Sequence, residues 1–154
     1  MKFIKIAVIA FFVAFLAIQF YRPDYTNPPV VESENLLAGN QVPENVKAIL
    51  VRSCADCHSN ETVYPWYSRI SPGSWFLASH INEGRREMNL STWNKSEDRR
   101  KKKKLEEICE QIQSKEMPLP SYLWIHRGAK LSAEEIETLC DWTNQERQKL
   151  SEEK

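Results

Sequence analysis

Cys54-Ala55-Asp56-Cys57-His58 restricts this chain more than any other feature. Residues three and four apart share a helix face. Two thiols and an imidazole therefore converge on one side of a single turn, and that side must stay free for whatever they hold. Four uses compete. A CxxC redox centre opens a helix after a strand, and no strand alternation is present. A zinc site needs four ligands, and there is no second CxxC and no HxxxH pair. A structural disulfide between cysteines three apart in a helix is uncommon. The fourth use is covalent haem attachment. Cys54 and Cys57 then form thioethers to one porphyrin, and His58, one turn beyond Cys54, becomes the proximal iron ligand. One covalent haem c is the expected cofactor.

The rest of the sequence is read for its fit to that turn. The run from Phe3 to Tyr21 is apolar except for Lys5 and Gln19, and as a helix it matches the roughly 30 Å of a bilayer core. Lys2 and Lys5 precede it and no other basic residue follows until Arg22, which orients the N-terminus inwards. A cleaved signal sequence competes, but a cut after Ala17 would leave Phe15 where a small residue is wanted. The expectation is a membrane anchor (or signal sequence) over residues 1–21. It places a single-pass protein in the inner membrane, with its N-terminus cytoplasmic and its haem domain in the periplasm. Residues 22–43, broken by Pro23, Pro28, Pro29 and Pro43, read as a swinging linker. Residues 44–150 form the haem-binding domain.

Within that domain the periodicity is helical. Val46, Ile49 and Leu50 lead from Pro43 to Cys54, and a second helix runs from Ser74 to Met88. A third covers 96–114, with Leu105, Ile108, Cys109 and Ile112 as its apolar stripe. The last opens on the capping box Ser132-Ala133-Glu134-Glu135. The fold class is all-α: a cytochrome c-like helical domain with long loops around one haem, preceded by a transmembrane helix. Lys+Arg and Asp+Glu are both 21, and only four glycines occur. That balance gives no basic face for nucleic acid and no Gly-rich phosphate loop.

The sixth iron position has several candidates. Pro118 forces Met117 into an extended loop, stiffened by Pro120, from which a thioether could approach the opposite haem face. Met117 is the favoured distal ligand, although most methionines simply fill core gaps. His80 is the alternative, mid-helix beside Phe76, with Gly84 one turn on leaving space; His126 and Met88 are weaker. Trp66, Tyr67, Trp75 and Trp93 could wall the haem or belong to the core, with Tyr67 and the indole N–H groups bonding propionates. Arg85 could pair with a propionate or lie on the surface. Cys109 and Cys140 each sit on an apolar helix stripe, as buried thiols or as a disulfide. Arg99 to Lys104 is either a solvated face or a docking patch for anionic lipid or an acidic redox partner. Asn60-Glu61-Thr62 matches a glycosylation acceptor, discounted beside the attachment motif.

Many short words of the sequence resemble the bacterial family named for its haem-binding domain. They are Asn27-Pro28-Pro29, CADCHSNET, Pro65-Trp66-Tyr67-Ser68, and Pro72 with Ser74-Trp75. His80-x-x-Glu83-Gly84-Arg85 and Asn89-x-Ser91-x-Trp93 follow, and Met117-Pro118, Tyr122, His126 and Leu131-Ser132 close the likeness over residues 20–145. The resemblance implies a membrane-anchored or exported c-type haem protein and supplies no function beyond that. The Met-Pro loop before a final helix is more loosely similar to class I cytochromes c, whose pattern the insert from Tyr64 to Trp93 leaves.

A filled sixth position favours an electron carrier over an enzyme, because substrate then has no access to iron. The alternatives are a peroxidase-like haem enzyme with His80 or His126 as distal base, or a redox or gas sensor with a labile Met117 bond. The redox partner is not specified by the sequence, the expected membrane contact is residues 3–21, and no nucleic-acid partner is expected.

Overall fold

The computed structural model describes residues 1–39 and 42–152, and among them every regular element is helical. The α-helices are α1 (Lys2–Ile18), α2 (Glu44–Ser53), α3 (Ala55–His58), α4 (Gly73–Glu87), α5 (Asp98–Gln113), α6 (Pro120–Leu123) and α7 (Ala133–Glu152). Four 3-10 segments join them, at Glu32–Glu34, Trp66–Arg69, Leu90–Lys95 (kinked at Thr92) and Arg127–Ala129. The four helices expected within the domain all form, with their stated boundaries within two residues of expectation.

α5 and α7 make the most extensive helix pair. Leu105 and Ile112 of α5 and Leu139 and Trp142 of α7 are buried, as are Val46, Ile49 and Leu50 of α2. The stripes recur every three to four residues and so bury one face per helix. A disulfide joins Cys109 to Cys140 across the α5–α7 contact, which decides between the two uses expected for these cysteines. The capping box forms as well: the Glu135 N–H donates to Ser132 Oγ at 3.1 Å, and the Ser132 N–H donates to Glu135 Oε2 at 2.9 Å.

The N-terminus differs from expectation. α1 holds 17 residues, and no helix among those described is long and apolar enough to cross a membrane. At 1.5 Å per residue α1 spans about 25 Å, short of the roughly 30 Å hydrocarbon core. The physical reason is Gln19. Its amide donates to Ser71 O at 3.0 Å and accepts from the Ser71 N–H at 2.9 Å, so the helix ends there and the chain is tied to the start of α4. Trp75 Nε1 fixes the next turn by donating to Tyr21 O at 2.8 Å. The transmembrane helix therefore does not hold. Neither does the single-pass inner-membrane placement with a cytoplasmic N-terminus and a periplasmic domain.

The expected linker is strapped down rather than swinging. Tyr25 donates to Ser74 O, Asn27 to Thr62 O, and Leu36 N–H to Leu90 O, while Leu36, Leu37 and Val42 are buried. Asn40 and Gln41, also within that segment, lie outside the described residues.

Candidate functional site

α2 stops at Ser53 because Cys54 leaves helical geometry (φ −125°, ψ −37°), and the chain re-enters a helix as α3. The break turns Cys54, Cys57 and His58 onto the wall of one cavity of about 440 Å³. That volume falls in the usual range of small-molecule sites, roughly 300–1,000 Å³. The opposite wall comes from α5, where Ile108 and Ile112 face the cavity, and from Met117, Leu119 and Tyr122 on the segment that follows. α4 closes the side with His80, Gly84 and Glu87. The α5 stripe is thus divided: Leu105 and Cys109 serve the core and the disulfide, while Ile108 and Ile112 also line the cavity.

His58 is held by its back nitrogen. Nδ1 lies 2.9 Å from Gly84 O and 3.1 Å from Met88 O, so it must carry the proton and leave the lone pair on Nε2. Burial lowers the pKa of His58, which favours the neutral, ligating form. Gly84 makes this possible. A Cβ there would lie 2.7 Å from the carbonyl oxygen of Cys57, so only glycine lets α4 approach the turn closely enough for its carbonyl to reach the imidazole. The space expected beside Gly84 for a bulky group is therefore filled by the Cys57 backbone.

Both cysteines of the turn are free thiols. Burial pushes Cys54 up to about 12, helped by Cys57, and Cys57 up to about 11, helped by Asp56. Thiols this weakly acidic do not suit a redox CxxC, which depends on a stabilised thiolate. Two unpaired sulfurs, an imidazole with Nε2 available, and apolar walls from Ile108, Ile112 and Leu119 together fit a haem attached through the turn.

Of the sixth-ligand candidates, Met117, His80 and Met88 line the cavity and His126 does not. Met117 is brought there by a left-handed residue, Lys115 (φ 62°), which reverses the chain after α5. The N–H groups of Glu116 and Met117 then both donate to Gln111 O, at 3.0 and 3.1 Å. The Met88 carbonyl is occupied by His58. His80 Nδ1 bonds Phe76 O of its own helix at 2.8 Å.

The expected haem-wall residues fall elsewhere, for none of Trp66, Tyr67, Trp75 and Arg85 lines the cavity. Trp66 is 77% exposed and Trp93 is in the core. Tyr67 meets His126 Nε2 at 2.7 Å. Trp75 holds the N-terminal segment. Arg85 is engaged in holding the structure. Its Nε donates to Ser59 O, and its terminal nitrogen donates to Asn27 Oδ1 and Thr62 Oγ1, pinning the loop after the turn. Asn60 is buried and bonds Pro29 O and Asn89, so it is no glycosylation acceptor here.

Asp56, Tyr122 and Lys104 are among the lining residues that the sequence did not mark as ligands or walls. Asp56 and Tyr122 are joined, Tyr122 Oη donating to Asp56 Oδ2 at 2.7 Å. Burial first, and then that bond, raise the Tyr122 pKa. Lys104 has a side chain only 15% exposed, and its ammonium lies 2.6 Å from Glu107 Oε2 and 3.3 Å from Glu87 Oε2. Burial pulls its pKa down, but the two carboxylates outweigh that and leave it raised. The signal for Asp56 was its place inside the motif; that for Lys104 was hidden in a run of like residues. That run is largely spent on the chain's own surface. Lys101 pairs with Asp98, Lys103 with Glu107, and Arg100 donates to the Arg86 and Glu87 carbonyls ending α4.

A family model described as a haem-binding domain matches residues 13–145, which takes in the whole cavity wall. No curated protein and no solved structure matches the chain.

Proposed function

Because the chain belongs to the haem-binding domain family, we propose that it is a c-type cytochrome that carries one covalent haem and transfers electrons. Haem binding follows from the family; covalent attachment, stoichiometry and electron transfer are the proposal. One observation carries it. Cys54, Cys57 and His58 share a cavity wall, and the two carbonyls on Nδ1 leave the imidazole's other nitrogen for iron.

Bound haem would supply one-electron chemistry between ferrous and ferric iron. The chain does the rest. Cys54 and Cys57 would fix the porphyrin edge, and His58 Nε2 would hold the metal, with Gly84 O and Met88 O keeping the ring oriented and raising its basicity. Met117 would supply a thioether as a second ligand, which favours the reduced state relative to a second imidazole. Ile108, Ile112 and Leu119 would give the porphyrin an apolar wall. Among the described residues, Lys104 is the one lysine or arginine lining the cavity. An ammonium has three donors and the two glutamates use two, so one remains for a propionate.

A second reading, a peroxidase-like enzyme or a gas sensor, draws on one feature: His80 lines the same cavity, with Nε2 as its available nitrogen. One preparation separates the readings. Protein matured in a host that attaches haem should keep its colour through acid and organic extraction and run at the polypeptide mass plus one haem. Its ferrous form should resist carbon monoxide, and Met117→Ala should make it bind. Colour lost on extraction would overturn covalent attachment. Rapid carbon monoxide binding by the unaltered protein would favour the enzyme or sensor.

A further inference from the structure

We propose that Asp56 and Tyr122 form a latch that holds the Met117 strap against the attachment turn and so sets how readily the sixth iron position opens. The proposal rests on Met117 as the distal ligand. The strap is rooted at its upstream end by the Gln111 carbonyl, which accepts from Glu116 and Met117. Downstream, α6 carries Tyr122, whose hydroxyl donates to the carboxylate of Asp56, the residue directly before Cys57. Met117 therefore sits between two fixings, and the second ties it to the same turn that bears both cysteines.

Apart from these fixings the strap is held by the packing of Met117 against the core and by the contact of His126 with Tyr67. From Gln113 to Gly128 no residue is fully buried, and Trp124 is 78% exposed. Segments with few buried contacts open locally at low cost, so a single strong bond weighs heavily there. The latch is built for direction. Asp56 Oδ1 accepts from the Val63 N–H at 3.3 Å, leaving Oδ2 for Tyr122. The Tyr122 ring is stacked on His126 (4.2 Å, 6° between planes), and His126 Nε2 meets Tyr67 Oη. The phenol is thus aimed at Asp56 before it bonds.

The test is carbon monoxide binding to the ferrous, natively matured full chain, where the ligand enters only when Met117 leaves. Losing a hydrogen bond to a carboxylate shifts the open population by roughly ten- to a hundredfold. Tyr122→Phe, which keeps the ring and its stack, should therefore bind carbon monoxide at least about tenfold faster than the unaltered protein. Asp56→Ala should do the same, and it carries the test alone if Tyr122→Phe does not mature. Asp56→Asn keeps an oxygen acceptor but makes the bond neutral, so its rate should fall between those of the unaltered protein and Asp56→Ala. The ferric low-spin spectrum should persist in all three, which a general loss of structure would not allow. Unchanged rates in Tyr122→Phe and Asp56→Ala, with Met117→Ala fast, would overturn the latch and leave the ligand reading standing. Unchanged rates in all of them, Met117→Ala included, would remove Met117 as ligand and the latch with it.

Discussion

Gly84→Ala puts the packing of the site to its most direct test. Three terms set the outcome. Alanine in a helix interior gains about 1 kcal/mol over glycine. Against this, the new Cβ would lie 2.7 Å from Cys57 O and 3.2 Å from Cys57 C, both backbone atoms that cannot rotate away. Ordinary contact begins near 3.4 Å, so α4 must retreat from the turn by roughly 0.7 Å at that point, an overpacking worth about 1–3 kcal/mol. The retreat also stretches the Gly84 O contact to His58 Nδ1, worth about 0.5–1.5 kcal/mol. The sum is a destabilisation of about 2 kcal/mol, within a range of about 0.5–3.5. Gly73→Ala is the control, because no atom lies within 4 Å of the added methyl at the start of the same helix. It should be neutral or slightly stabilising. Urea unfolding of natively matured protein, extrapolated to water, gives both numbers. The haem spectrum reports the second consequence, a disturbed His58 ligand in Gly84→Ala only. A Gly84→Ala protein as stable as Gly73→Ala, with an unchanged spectrum, would refute the claim that close α4 approach builds the proximal side.

Arg85→Met should cost about 1–3 kcal/mol by leaving Ser59 O and Thr62 without their partner, while the midpoint potential stays within error of the unaltered value. A large change in potential would instead place Arg85 at a propionate. Replacing both Cys109 and Cys140 by serine opens a link spanning 31 residues and should lower stability by about 3–4 kcal/mol in urea unfolding, with the haem spectrum intact. Glu135 titrates below the ordinary 4.5, chiefly through its bond to Arg52 and then through the Ser132 N–H. A carboxylate with a lowered folded pKa stabilises above its unfolded value and loses that contribution as pH falls through the folded one. The urea midpoint should therefore drop below about pH 4.5 more steeply in the unaltered protein than in Glu135→Gln. Equal slopes would count against the Arg52–Glu135 pair.

The helices were legible because periodicity reports burial directly, and the attachment turn because thiol–thiol–imidazole spacing is a local property. What stayed hidden depended on contacts between distant segments. Arg85 reads like a propionate ligand until Ser59, Thr62 and Asn27 are seen to enclose it. The N-terminal run reads as a span because hydropathy counts residues; Gln19, a single polar side chain bonded both ways to Ser71, ends the helix at 17. Tyr67, Trp75 and Trp93 are aromatic in a segment beside the motif, but their polar atoms and rings are taken up in joining elements, not in lining the cavity. Lys104 could not be told from its neighbours in Arg99–Lys104, since only its place opposite Glu87 and Glu107 gives it a buried stem.

The charge around the cavity would work against the sulfur ligand proposed for it. Among the described residues, Asp56, Glu83, Glu87 and Glu107 line the cavity against Lys104 alone. An electron arriving at iron adds negative charge, so acidic neighbours favour the oxidised form, whereas the Met117 thioether favours the reduced one. Their weights differ. Glu83 and Glu87 are exposed and screened by solvent and salt. Glu107 is bonded to Lys104, which holds its carboxyl below the usual range and cancels most of its field. Asp56 alone combines closeness to the turn with no cationic partner among the described residues, and its charge is met only by the Tyr122 hydroxyl and the Val63 N–H. Asp56→Asn should accordingly raise the midpoint potential while Glu83→Gln leaves it nearly unchanged, a contrast that redox titration of the two variants would decide. A single acid inside the motif would then both tune the iron and hold the strap that covers it.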